Sequence, residues 1–249
     1  MPPAPSFGVG RAAAQDRVDE WIAAVAPGRS FVDIGGIGER SGNERCSWAL
    51  RCGAVHVTMA DILPPEHDLW AHFRKETRAF GLNDIDCLAG LDINDAGFPR
   101  ALGRFDIVHA TGLLYHCPHP VHSLLNLRRV VGDYLITNTV VIPDEVENAE
   151  GRVTFPASSA LFLPALRGRE RAVLKRYYQD RFKVDPDVHA PISADGIMPY
   201  LNNGEPSPWP YWWFFTKSSF ERSLEFLGMR ILDRHTWQDH AHFVFLRRQ

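Results

Sequence analysis

The side chains best placed for chemistry in this sequence sit where apolar runs end. Ser30-Phe31-Val32-Asp33-Ile34 leads straight into Gly35-Gly36-Ile37-Gly38. A buried parallel strand reads this way when it enters a ligand-binding turn. Glycine lets a ligand approach the main chain with no side chain between, and a helix after the turn would aim free N–H groups at it. Val55 to Ala60 is a second apolar run and ends on Asp61. An acid about 20 residues beyond a glycine loop closes one βαβ unit and can accept from both hydroxyls of a ribose; the competing reading is a helix N-cap. A third run, Asp86 to Ile93, carries Asp92 near its end. A fourth, Arg104 to Gly112, is followed by Leu113-Leu114-Tyr115-His116.

Helical patterns must position these acids. Arg11 to Ala26 places Val18, Trp21, Ile22 and Val25 at helical spacing before Pro27-Gly28. Asn43 to Cys52 reads as a helix stopped by Gly53, and Glu66 to Phe80 as one stopped by Gly81. Pro118 and Pro120 open another from Val121 to Val131, and Asp133 to Val141 is a fifth strand. Strands alternating with helices predict an α/β fold with a doubly wound, mostly parallel sheet. The rhythm breaks at Ile142. From there to about Pro210, or to residue 215 with the aromatic run included, the chain reads as a cap-like insertion over the sheet's carboxyl edge, within a single domain of residues 1–249. A helix from Lys217 to Leu227 then precedes strands Met229–Trp237 and His240–Leu246. Their connection across Gln238-Asp239 is short enough to force an antiparallel hairpin and brings the sheet to seven strands.

Bulk properties narrow the function classes. The 249 residues are 45% hydrophobic, enough for a sizeable core. A net charge of −3 offers no electrostatic case for nucleic acid or an anionic membrane. Cys46, Cys52, Cys87 and Cys117 show no metal-finger spacing and are expected to be free thiols. No run approaches the roughly 18 apolar residues of a membrane span, and Met1 to Gly10 lacks the apolar core of a signal peptide. A cytoplasmic protein is expected.

Asp33-Ile34-Gly35-Gly36-Ile37-Gly38, Asp61, Asp92-Ile93, Phe105-Asp106-Ile107-Val108 and Leu114-Tyr115-His116-Cys117-Pro118, with the closing hairpin, resemble class I S-adenosylmethionine-dependent methyltransferases. The resemblance covers Phe31 to Val141 closely and Thr216 to Arg248 in outline. It implies a Rossmann-like fold with S-adenosyl-L-methionine as cofactor. Asp33, Gly35 and Gly36 would hold the cofactor's amino-acid part. Asp61, with Ile62 beside it, would take the ribose. Asp92 would accept from the adenine amino group with Ile93 beside the ring, and Thr111 and Gly112 would border the sulfonium. The loop departs from the family's alternate-position glycines, reading Gly-Gly-Ile-Gly with Gly42 further on.

Methyl transfer from a sulfonium asks mainly for a nucleophile held about 3–3.5 Å from the methyl group. A hydroxyl or amine nucleophile also wants a base near neutral pKa. His116 is the candidate, with Tyr115 lining the pocket; packing or capping of the next helix is the other reading of His116. His119 and His122 follow at three-residue spacing around two prolines, which is no zinc pattern, so no metal is expected. Arg167, Arg169, Arg171, Lys175 and Arg176 form either a solvated face or a clamp for an anionic substrate group. Trp212 and Trp213 either wall a substrate pocket or belong to the core. The run Trp209 to Thr216 also looks like a segment of tRNA-uridine carboxymethyltransferases.

The leading expectation is a transferase acting on a small-molecule acceptor at O, N or C. Carboxymethyl transfer to tRNA uridine, cyclisation of the cofactor, and a binding module without catalysis are the rivals within the fold. A nicotinamide-dependent oxidoreductase would share the loop and Asp61, but Gly36-Ile37-Gly38-Glu39-Arg40-Ser41 lacks the third glycine of its fingerprint, and no Tyr-x-x-x-Lys pair is present.

Overall fold

A computed structural model describes residues 13–37, 44–79, 81–182 and 212–249, with the main chain of four short strands between residues 192 and 207. Gly38, Gly42, Phe80, the stretch Met1 to Gly10 and Trp209 to Tyr211 lie outside the described residues.

The first half alternates as its periodicity predicts. Helix α1 (Ala13–Val25) precedes β1 (Ser30–Ile34), α2 (Cys46–Arg51), β2 (His56–Ala60), α3 (Asp68–Ala79) and β3 (Ile85–Leu88). Then come α4 (Phe98–Leu102), β4 (Phe105–Ala110), a single 3-10 turn (Leu114–His116), α5 (Pro120–Val130) and β5 (Val131–Ile142). The middle holds β6 (Glu145–Asn148), β7 (Gly151–Thr154), β8 (Ala160–Phe162), α6 (Gly168–Phe182) and the short strands β9 (Ile192–Ser193), β10 (Gly196–Ile197), β11 (Tyr200–Asn202) and β12 (Glu205–Ser207). The chain closes with β13 (Trp213–Thr216), α7 (Lys217–Phe226), β14 (Met229–Trp237) and β15 (Ala241–Arg248).

The central path is β14-β15-β5-β4-β1-β2-β3. Only β15 runs against its neighbours, so β14 again points the same way as β5. Alternation along the strands sorts the core into two layers. Val32, Ile34, Val108 and Ala110 face α4, α5 and α7 through Phe98, Leu127 and Phe220. Phe31, Val57, Met59 and Ile107 face α1, α2 and α3 through Ile22, Ala49 and Trp70. Both faces of a parallel sheet must be covered this way because crossover helices lie on each.

Two boundaries correct the sequence reading. The third strand ends at Leu88 rather than near Asp92. Past it, Gly90 takes φ +71°, its N–H donates to the Leu63 carbonyl at 2.9 Å, and Leu91 N–H donates to the Asp61 carbonyl at 2.9 Å. The chain therefore bends onto the end of β2, and Asp92 sits in a turn instead of a strand. The second helix begins at Cys46, three residues later than the pattern suggests. The Arg45 N–H is already committed to Asp33, and Glu44 Oε2 accepts from Ser47 N–H at 2.9 Å, which starts the helix there.

The break after β5 is bonded into the sheet. β13 pairs in parallel with the last residues of β5, Phe215 beside Val141 and Thr216 beside Ile142, and β8 pairs antiparallel with β13. A third apolar cluster, Val146, Phe155, Leu163, Val173, Leu174, Tyr178 and Phe214, packs α6 against these strands. Tyr178 is fully buried and donates its hydroxyl to the Val141 carbonyl at 2.8 Å.

Candidate functional site

The acids and glycines gather at the carboxyl ends of β1, β2 and β4, where open α/β sheets take ligands. Gly35 follows β1 at φ +72°, its N–H donating to the Ala60 carbonyl at 2.8 Å, and a Cβ there would lie 2.3 Å from the Leu113 side chain. A Cβ on Gly36 would lie 2.5 Å from Asp33 Oδ2. The loop is thus glycine because it folds over its own aspartate and under Leu113.

Asp33 is fully buried. Its Oδ2 accepts from Arg45 N–H at 2.6 Å, and its Oδ1 lies 2.7 Å from His109 Nδ1. Asp33 and His109 are register partners on adjacent strands, so their side chains emerge together on the α2 side of the sheet. His109 Nε2 is in turn 3.2 Å from Thr111 Oγ1. The far end of the loop is fixed by Arg45, whose side chain lies 2.9 Å from Asp19 of α1 with both groups buried. Among the described residues, Asp33, Glu44 and Cys46 bring ligand-type atoms within 4.8 Å of one another. That set suits a metal poorly. Burial pushes the Cys46 thiol well up and keeps it protonated, so it donates to the Thr58 carbonyl.

Asp61 closes the other side of the loop. Its Oδ1 accepts from Leu63 N–H at 3.0 Å. Burial raises its pKa, and backbone N–H groups of Leu63, Ile37 and Ile62 pull it back. The carboxylate therefore ties the glycine loop to the end of β2, and the helix-cap reading does not apply, since α3 begins only at Asp68. Ile62 beside it is 48% exposed, unusual for an isoleucine next to a buried acid. Asp92 Oδ1 accepts from both the main-chain and side-chain nitrogens of Asn94 at 2.8 Å, which leaves Oδ2 for another donor. Ile93 turns its side chain into the core, and Asn126 holds its carbonyl at 2.9 Å.

The end of β4 is bolted to β5. Thr137 Oγ1 donates to the Ala110 carbonyl at 2.7 Å, and Gly112 N–H donates to Asn138 Oδ1 at 2.6 Å. The next turn carries Tyr115 and His116 with ring centroids 4.2 Å apart. The aromatic segment docks on this turn. Trp212 N–H donates to the Tyr115 carbonyl at 2.8 Å, and Trp213 Nε1 donates to the Pro118 carbonyl at 3.1 Å. Trp212 is buried and stacks on Phe162, so its indole is core, whereas Trp213 is half-buried. Arg171 is exposed on α6.

Asp33, Gly35, Gly36, Asp61, Thr111 and Gly112 thus share one edge, with Tyr115, His116 and Trp213 beside it. His109, Asn138, Asn94 and Asn126 escaped the sequence reading. For His109 and Asn138 the one signal was a polar residue inside an apolar strand, which alone does not name its partner; Asn94, in a turn, and Asn126, in a helix, gave none.

No family model matches the sequence, and no curated protein is similar to it. Solved structures are similar in shape. A magnesium protoporphyrin IX methyltransferase from Synechocystis, crystallised with S-adenosylhomocysteine, matches with a TM-score of 0.57 at 15% identity, over 98% of this chain and 91% of that one. A 1,6-didemethyltoxoflavin-N1-methyltransferase from Burkholderia thailandensis, with its substrate and S-adenosylhomocysteine, matches with 0.54 at 13% identity, over 96% and 79%. An S-adenosylmethionine-dependent methyltransferase from Mesorhizobium loti matches with 0.54 at 14% identity, over 95% and 98%. The chain is built on the Rossmann-like fold that these S-adenosylmethionine-dependent methyltransferases share.

Proposed function

We propose that this protein is an S-adenosylmethionine-dependent methyltransferase acting on a small-molecule acceptor. The observation that carries the reading is the placement of Asp61, a buried carboxylate at the end of β2 beside the glycine loop. Main-chain donors hold it at the strand's carboxyl end, where open α/β sheets bind their ligands. A ribose diol at the end of β2 would supply two donors. Asp92 Oδ2 and the exposed Ile62 lie on the same path and would take the amino group and face of an adenine. The structural neighbours crystallised with S-adenosylmethionine or its demethylated product support the same ligand.

When bound, the sulfonium cofactor supplies an activated methyl group with a neutral leaving group. The chain's own part is then positioning and proton removal. Thr111 and Gly112 border the place of transfer, and His116 takes the acceptor's proton with Tyr115 as a pocket wall. Residues 142–215 act as a cap within the single domain, and Trp213 faces the acceptor. Arg171 on α6 would contact an anionic group of the acceptor. Of the neighbours, one was crystallised with 1,6-didemethyltoxoflavin and one in complex with apigenin, both small molecules, which supports a small acceptor.

Thermal melting tests the cofactor. At about 100 times its dissociation constant a ligand adds roughly 2.7 kcal/mol to stability. S-adenosylmethionine and S-adenosylhomocysteine should both raise the Tm and NAD should not. A shift with NAD alone would turn the assignment toward an oxidoreductase.

A further inference from the structure

The buried pair Asp33–His109 ends on a hydroxyl at the site's edge. Asp33 is the acid that the resemblance assigns to the cofactor's amino-acid end, yet it is sealed. Its side chain is 0% exposed, Gly36 lies over Oδ2, and Arg45 N–H occupies that same oxygen. The hydrogen bonds lead elsewhere. A carboxylate only accepts, so the 2.7 Å contact requires His109 to carry its proton on Nδ1. In the neutral Nδ1–H tautomer Nε2 is a lone pair, and the Thr111 hydroxyl, 3.2 Å away, donates its one proton to it. Both remaining lone pairs of Thr111 Oγ1 point away from His109. A chain of this kind polarises along its length in a low-dielectric interior.

We propose that Asp33 acts on the ammonium of the bound cofactor through His109, with Thr111 Oγ1 as the atom that accepts from it. The proposal rests on the cofactor reading above. His109 is a positioning residue here: it sets which way the Thr111 hydroxyl faces and never meets the ligand. Thr111 stands half-buried past the end of β4, next to Gly112, whose N–H donates to Asn138 Oδ1. The same polarity would repel an anion and suits a cation or a strong donor, as an α-ammonium is. Glu44, with a carboxylate near Asp33, is another described acid close to this position.

Calorimetric titration separates the alternatives. S-adenosylhomocysteine carries the ammonium; 5′-methylthioadenosine keeps the nucleoside and thioether without it. Thr111→Val should weaken S-adenosylhomocysteine about tenfold, the scale of one hydrogen bond to a charged group. It should leave methylthioadenosine within about twofold, and Thr111→Ser should restore the tighter value. His109→Gln should weaken S-adenosylhomocysteine alone, and should add nothing in a Thr111→Val background, because the two act in series. Melting curves of Thr111→Val and Thr111→Ser check that these variants fold. Equal losses for both ligands with Thr111→Val, or no loss for either, overturn the relay. Discrimination carried by Glu44→Gln instead of Thr111→Val also overturns it. Wild-type protein that binds neither ligand fails the cofactor reading itself, a result distinct from intact binding that ignores Thr111.

Discussion

Asp33 and Asp61 are chemically alike and end neighbouring strands, yet they do opposite work. Asp33 faces inward and is used up by Arg45 and His109, whereas Asp61 is held by main-chain donors and costs stability to ionise. The sign follows from its raised pKa. Between the unfolded and folded values the native state keeps a proton that the unfolded chain has lost, so the Asp61 contribution to stability falls as pH rises through that window. Asp61→Asn keeps an acceptor for Leu63 N–H and removes the buried charge. The ligand-free protein should melt no lower than wild type near neutral pH, while the stabilisation by S-adenosylhomocysteine should be largely lost. A variant that melts several degrees lower, or that keeps the ligand shift, contradicts the role given to Asp61.

Among elements, the tie between β1 and β4 aligns the whole edge. Asp106 at the start of β4 accepts from Ser30 N–H at 2.9 Å and Ser30 Oγ at 2.8 Å, and its own N–H donates back to Ser30 Oγ. This clamp sets the register that later pairs Asp33 with His109. The Ser30 N–H bond is the main reason its carboxyl is held below the usual range. Its stabilisation is present above the unfolded pKa and is lost as pH falls through the folded one, the reverse of Asp61. Asp106→Ala should cost about 1–2 kcal/mol by denaturant titration, a discounted figure because the group is partly solvated. The deficit relative to wild type should shrink in acid. A deficit independent of pH would mean that packing, not the charge, holds the two strands together.

Over the whole molecule, the 142–215 segment is expected to melt with the sheet. β13 continues the hydrogen bonding of β5, and Tyr178 buries its ring against Phe214 at 4.7 Å while bonding Val141. Removing a buried aromatic side chain costs about 3–5 kcal/mol. Tyr178→Ala should therefore move one single unfolding transition, seen alike by fluorescence and circular dichroism. Two separated transitions would make the segment an independent unit and remove it from the domain.

Residue order alone was enough for the alternation of helices and strands, the acids after three apolar runs and the terminal hairpin, because burial periodicity and turn chemistry are local. Those features carried the fold and, through the family resemblance, the expectation of a cofactor. What a residue touches across strands was not legible. Asp33 and His109 lie 76 positions apart and meet only because β1 and β4 are neighbours in that register. Asp92 left its strand because Gly90 bends the chain onto the Asp61 turn, a hydrogen-bonding choice made by β2 rather than by β3. The same tertiary pairing put the Thr111 hydroxyl at the far end of the Asp33–His109 pair. Composition and spacing report which groups are available; which of them face the ligand was decided by the strand order.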